Sequence, residues 1–306
     1  MIVDDLLARR LVILSGKGGV GKSVVGMALA VAAHRRGKRV LFVEVDAAIP
    51  AARVLGEEPG LASLNLDPPR VMDEYVRQTV RVELLARKVL DSPVYRRFFA
   101  AAPGLPELMV LGKIMVLAEA HARWSHRPRH DLVIVDAPAT GHGLAFLKVP
   151  LAASEAVPVG PVGNNARRIL RLLRDPEWTA FGIVAIPEEM AAVEAAELHR
   201  LAALEVGVTP RVVFLNQCHE RRFTEEQEAA VLRLTAGGAD GVLAPGVTLA
   251  GALAAARRHV RRRKMTRFYE TRLRRSIPAP LVTLPYLHEE IGPESIRSLA
   301  ARIEAA

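Results

Sequence analysis

The stretch "LVILSGKGGVGKSVVG", residues 11–26, sets four glycines and two lysines between an apolar run and a helix-like repeat. Residues 11–14 are short and apolar, as a buried strand requires, and residues 23–36 carry the apolar spacing of a helix. Two patterns fit the loop between them. Gly16, Gly18 and Gly21 satisfy the dinucleotide pattern G-x-G-x-x-G, while residues 16–23 satisfy G-x-x-x-x-G-K-[ST]. In both, backbone N–H groups face phosphate at a helix N-terminus, where the aligned peptide dipoles favour an anion. Lys22 and Ser23 separate the two: a dinucleotide turn has no use for an ammonium there, whereas a triphosphate cradle needs a lysine on the β/γ-phosphates and a hydroxyl on Mg²⁺. The dinucleotide reading keeps one asset. An acidic residue ends the next strand, in "RVLFVEVD" with Glu44 and Asp46, near where a ribose-binding carboxylate would lie. The full eight-residue match, with a strand before it and a helix after it, favours a nucleoside triphosphate, with Gly16, Lys17, Gly18, Gly19, Val20, Gly21, Lys22, Ser23 and Val24 forming the cradle.

Further strand-like runs occur at residues 39–45, 131–135, 181–186, 211–215 and 281–284, most of them separated by helical patterns, among them 190–205; a helical pattern at 296–303 closes the chain. This alternation predicts an α/β fold with a mostly parallel sheet and helices on both faces, and ligands outside the carboxyl ends of the strands. Residues 47–128 and 144–178 interrupt the rhythm with helix-like, proline-punctuated sequence. The expectation is one P-loop domain over residues 1–306, with a helical subdomain formed by those two stretches.

At 306 residues and 50% hydrophobic composition the chain can bury a large core. Its longest apolar stretch, residues 24–33, is far shorter than the roughly 18 residues of a spanning helix. The start, "MIVDDLLARR", puts Asp4 and Asp5 where a signal peptide carries positive charge, so a cytoplasmic location is expected. The one cysteine, Cys218, excludes an intramolecular disulfide and reads as a small, partly buried residue. Lys and Arg exceed Asp and Glu by 42 to 33, a balance that suits nucleotide, nucleic acid or an anionic surface. Much of the excess lies in "RRHVRRRKMTRFYETRLRR", residues 257–275, which reads as one helix with Met265, Phe268, Tyr269 and Leu273 interrupting the arginines. A solvated helix with an apolar seam is preferred over a DNA- or lipid-binding face.

A second motif supports the first. "DLVIVDAPATGHG" is an apolar strand ending in Asp136, the arrangement by which a Walker B carboxylate supports Mg²⁺, commonly through its water. Asp46, at another strand end, would face the γ-phosphate and orient the attacking water. The loops after Asp46 and Asp136 are then the natural sensors of that phosphate.

These residues resemble the ArsA/Get-type ATPases, which include the arsenite-pump and tail-anchored-protein targeting ATPases, within the MinD/ParA-like class. "SGKGGVGKS" is similar to that class's deviant Walker A motif, and the resemblance implies that Lys17 reaches across a nucleotide-sandwiching dimer to the partner's phosphates. "VDAPATGHGLAFLKVP" is similar to the second switch, with Asp136, Thr140, Gly141, His142 and Pro150 at matching places; "PGLPELMVLGKIM" and "IPEEMAAVEAAEL" resemble further family stretches. "FLNQC" resembles the adenine-contacting segment, so Asn216 inherits that role, and "TLPYLHEEIG" resembles the closing strand and loop, which would bring Pro285 to the base.

The departures bear on function. "DAAIPAARVLG" keeps only Asp46 of the family's D-P-A-H first switch. No C-x-x-C precedes the basic helix, so no structural zinc clasp is expected, and the pump's arsenite-binding cysteines have no counterparts. The stretch "ELMVLGKIMVLAEA", residues 107–120, could line a client groove through Met109 and Met115, but core packing is the expectation. The resemblance implies an ATPase using ATP and Mg²⁺ whose two protomers, identical or paralogous, close over nucleotide. Lys22, Lys17 and Asp46 would be catalytic, and Ser23 and Asp136 would hold the metal. A protein client or membrane partner is the expected cargo. A ParA-like DNA-binding module and a regulatory subunit of a heterodimer stay open.

Overall fold

In the computed structural model all residues are described except 1, 57–60, 81, 94–103, 123–126, 139–142, 237–241 and 245–246. Strand β1 (Leu11–Ser15) is buried at every position. Leu11 and Ile13 enter one apolar core while Val12 and Leu14 enter a second on the opposite face, because side chains alternate along a strand. Six more strands join it: β2 (Val40–Val45), β3 (Leu61–Leu66), β4 (Leu132–Asp136), β5 (Thr179–Ala185), β6 (Val212–Cys218) and, last in the chain, β9 (Leu281–Pro285). Their order is β3-β2-β4-β1-β5-β6-β9, and every neighbouring pair is parallel. The short β7 (Val242–Ala244) and β8 (Val247–Thr248) pair antiparallel outside this sheet.

On one face, α1 (Ile2–Leu7), α2 (Lys22–Arg35), α3 (Ala51–Leu55) and α12 (Pro293–Glu304) cover the sheet, with α2 packed on α12. The other face carries α4 (Pro68–Thr79), α6 (Leu105–Glu119), α7 (Gly143–Ala156), α8 (Gly160–Arg174) and α9 (Glu189–Leu201), and α5 (Glu83–Asp91) packs on α4. The expected core role of residues 107–120 holds: Leu108, Met109, Leu111, Ile114 and Met115 are buried in α6. After α10 (Glu225–Ala236), the long α11 (Leu249–Ser276) leads into β9. Among the described residues no helix is long and apolar enough to cross a membrane.

Two features differ from the sequence expectation. Residues 61–66 lie in the stretch read as helical, yet they form β3 at the sheet edge. "LASLNL" has leucines at 61, 64 and 66 and so no regular alternation, and an edge strand with one fully buried position needs no longer apolar run. In α11 the buried seam is Val260, Thr266, Tyr269 and Leu273, whereas Met265 and Phe268 are exposed by 47% and 59%. Phe268 faces solvent among Lys264, Arg272 and Arg275, whereas Met265 lines a cleft with Gln217 and Tyr286.

Candidate functional site

Parallel pairing brings the carboxyl ends of all seven strands to one edge of the sheet, so residues far apart in sequence meet there. The loop after β1 starts at Gly16, whose φ is 154°; a Cβ at that position would lie 2.2 Å from the Val184 carbonyl oxygen of β5. Only glycine lets the chain leave the sheet at this angle. Gly21, with φ 82°, caps α2, and a Cβ there would press within 2.5 Å of Asn216 Nδ2. Gly18 and Gly19 are exposed on the loop, Val20 is buried beneath it, and Val24 is half-buried in the first turn of α2.

Lys22 folds over this loop. Its side chain is buried, and its ammonium donates to the Lys17 carbonyl at 3.5 Å. Burial lowers its pKa, and the nearby Asp136 carboxylate opposes that shift. Ser23 donates its hydroxyl to Asp136 Oδ2, tying the helix start to the end of β4. Asp136 is buried, and among the described residues its Oδ1 has no hydrogen-bond partner. Burial raises the pKa of Asp136, against the opposing pull of Ser23 and Lys22.

Glu44 sits level with Asp136 across the β2–β4 pairing and is also buried. Burial raises its pKa, the Ala51 N–H at 2.7 Å lowers it, and Asp136 raises it further. Its carboxylate is committed to the start of α3, so it is not free to hold a ribose, which leaves Asp46 of that acidic pair. Two buried carboxylates act on each other here and the Lys22 ammonium offsets Asp136, which leaves a site that gains from added positive charge. The unpartnered Asp136 Oδ1 and the adjoining Ser23 hydroxyl are hard oxygen donors, and they fit Mg²⁺.

Asp46 ends β2 in a left-handed conformation, φ 51°, with its N–H donating to the Leu66 carbonyl at 2.9 Å and its side chain exposed. A non-glycine residue held there stores strain of the kind found at working sites. Asn65 of β3 fixes the loop that follows: it accepts from Ala47 N–H at 3.1 Å and donates to the Ala47 carbonyl at 2.9 Å. The strand absent from the sequence reading therefore anchors the first-switch loop. Lys17 points off the loop and pairs with Glu194 of α9 at 3.0 Å, both side chains 37% exposed. Thr140, Gly141 and His142 of the second switch lie outside the described residues.

A family model of anion-transporting ATPases, the ArsA ATPases, matches residues 9–159, which span the glycine loop, the first switch and β4. Residues 9–159 belong to the ArsA ATPase family. The chain is 28% identical over 225 residues to the ATPase BagA of Mycobacterium tuberculosis, an alignment covering 68% of this chain and 65% of that protein. It is 26% identical over 259 residues to an arsenical pump-driving ATPase of Escherichia coli, covering 72% and 43%. With the ATPase GET3C of Arabidopsis thaliana the identity is 24% over 248 residues, covering 62% of each. The chain thus spans just under two thirds of the mycobacterial and plant relatives' length and less than half of the bacterial pump ATPase.

Asn216 is buried and donates from Nδ2 to the Val20 carbonyl at 3.0 Å, so its amide braces the glycine loop. Pro285 lies at the end of β9 beside Cys218, joined by the Tyr286 N–H to Cys218 carbonyl bond of 2.9 Å. Cys218 is buried and its thiol is pushed up to about 12, which fits the inert reading of that residue. Next to these residues a cleft of about 280 Å³ is lined in part by Gln217, His219, Met265 and Tyr286. His219 stacks on Tyr286 with ring centroids 4.9 Å apart, and Gln217 has φ 57°. The sequence reading missed Glu194, Asn65 and this His219–Tyr286 stack; the only local signal was that "NQCH" and "PY" follow the two residues assigned to the base.

His219 is buried, its Nδ1 lacks a partner among the described residues, and its pKa falls to about 4. Burial is the main cause, followed by the charges of Arg262, His259, His288 and Arg222. Between pH 6.5 and 4 the unfolded chain therefore binds a proton that the folded chain rejects, and stability falls as pH drops through that window. His219 alone should contribute a slope approaching about 1.4 kcal/mol per pH unit there. Urea titrations at pH 7, 6 and 5 should show that slope reduced in His219→Phe, which keeps the stacking on Tyr286.

Proposed function

We propose that this chain is a Mg²⁺-dependent ATPase that works as a nucleotide-driven dimeric switch. The observation that carries the reading is the joining of Lys22, Ser23 and Asp136 at the glycine loop, with a buried carboxylate oxygen that has no partner among the described residues. In this scheme the amides of residues 16–21 and the Lys22 ammonium hold the phosphates. Ser23 and Asp136 hold Mg²⁺, which neutralises the charge developing on the transferred phosphoryl group. Asp46 orients the attacking water, and Asn216 and Pro285 border the base.

Lys17 is the residue left for the second protomer. It is half exposed, and its pairing with Glu194 is a surface ion pair worth about 0–1 kcal/mol, a small cost to break on dimer closure. Its arrival at the partner's phosphates would act as an arginine finger does in trans. Val82, Leu84 and Leu85, exposed by 53%, 74% and 52% around the start of α5, support an apolar protein client or membrane partner for the cytoplasmic switch.

Light scattering with and without ATP and Mg²⁺ tests the reading, together with ATP turnover. The wild type should dimerise with nucleotide, Lys17→Ala should stay monomeric, and Asp46→Asn should hold the dimer for longer because hydrolysis slows. A monomer indifferent to ATP, with no turnover alone or with a paralogous chain, would sink the proposal. Turnover that appears only with a paralogue would place the working site between two different chains.

A further inference from the structure

The basic helix α11 is not needed by the nucleotide reading over most of its exposed surface. From Arg257 to Arg275 it holds ten Lys and Arg side chains and one carboxylate, Glu270, which pairs with Arg274. At 100° per residue, Arg257, Arg261, Lys264, Arg272 and Arg275 project within about 60° of Phe268, on the side away from the buried Tyr269 and Leu273. The stripe runs about 27 Å along the helix at 1.5 Å per residue. Among the described residues none of its five cations has a carboxylate partner. Phe268, 59% exposed, sits mid-stripe, where Lys264, Arg272 and Arg275 join it around a concavity of about 630 Å³.

A cationic line of this kind exposes unsatisfied guanidinium groups that match phosphodiesters in charge and bidentate geometry. The apolar content distinguishes among anionic partners. An interfacial membrane helix buries a continuous apolar face, whereas this stripe offers one large apolar side chain, Phe268. One exposed ring among spaced cations is instead the pattern that stacks an unpaired base while the backbone follows the charges. We propose that the Arg257–Arg275 face of α11 binds single-stranded nucleic acid, with Phe268 stacking a base. The stripe belongs to one continuous helix, so binding does not require nucleotide or dimer closure, and it stands or falls apart from the ATPase reading.

The test uses the full chain, a fluorescent 20-nucleotide single-stranded oligonucleotide and its duplex, and vesicles containing phosphatidylserine, each titrated across salt concentrations. Five single-strand contacts predict a slope of log K against log salt of about −3.5. Lys264→Gln with Arg272→Gln and Arg275→Gln should reduce it to about −1.4, while the equally charge-depleted Arg53→Gln, Lys88→Gln, Arg200→Gln variant should keep it. Phe268→Ala should weaken single-strand binding about tenfold with the slope unchanged, and leave duplex binding alone. Circular dichroism checks that each variant is folded. No oligonucleotide binding at 100 µM protein in low salt, equal losses in the stripe and control variants, or tighter binding to vesicles than to oligonucleotide at matched salt would each overturn the proposal.

Discussion

Lys22→Ala is expected to reduce ATP turnover by at least about 10²–10³-fold, the scale set by loss of one preorganised charge-stabilising donor. The ammonium is held over the loop, buried and hydrogen-bonded to the Lys17 carbonyl, so little reorganisation is needed when a phosphate arrives. Burial disfavours the charged form, which makes an anion there more strongly bound than it would be beside a solvated lysine. The folded state itself should not suffer. Removing a buried charge that is only partly compensated relieves a desolvation cost, although Asp136 loses a favourable neighbour. Steady-state turnover and urea denaturation on the same preparation separate the two effects. A variant that kept near-normal turnover would show that the loop holds no triphosphate.

Gly16→Ala should act in the opposite order, on the fold of the site before its chemistry. The added methyl would lie 2.2 Å from the Val184 carbonyl oxygen, a backbone atom held in the centre of the sheet by the β1–β5 pairing. Neither neighbour can turn aside as a side chain would. The φ of 154° adds strain for any residue with a Cβ, about 1–3 kcal/mol, and crowding adds about 1–3 kcal/mol more. The expected results are a lower urea midpoint with an unchanged slope and a loss of nucleotide-induced stabilisation. Gly19→Ala is the matching control. Gly19 also has a positive φ, 84°, but a Cβ there meets nothing within 4 Å, so only the strain part should appear.

The contrast between these two glycines shows where local sequence stops being informative. The pattern marks both as loop glycines, but which one touches β5 depends on a strand more than 160 residues away. The same holds for the phosphate site. "GKS" and the apolar run ending in Asp136 were legible separately, because each needs only a neighbouring strand or helix to make sense. Their hydrogen bond needed the β1–β4 pairing to bring Ser23 to Asp136. Residues 61–66 were missed because an edge strand carries few buried side chains, and its role, holding Ala47 through Asn65, is a long-range contact that no periodicity encodes.

Charge distribution divides in the same way. Composition placed the cations on one helix, and the arginine spacing fits a helix with a solvated side. The sequence also suggested that Met265 and Phe268 belong to the apolar seam, and there the packing chose otherwise. Helical rotation aligns Tyr269 and Leu273 with the core, which carries Phe268 outward among the arginines.

By itself the sequence determined the α/β class, the glycine loop between strand and helix and the carboxylate at the end of a buried strand, because those depend on short-range backbone conformation and on strand and helix periodicity. The tertiary structure decided that Glu44 is consumed by α3, that Asn216 braces the loop through Val20, that Lys17 rests on Glu194, and which face of α11 meets solvent. Each of these is set by which elements pack side by side, and the energy that chooses among such pairings is burial summed over the whole core.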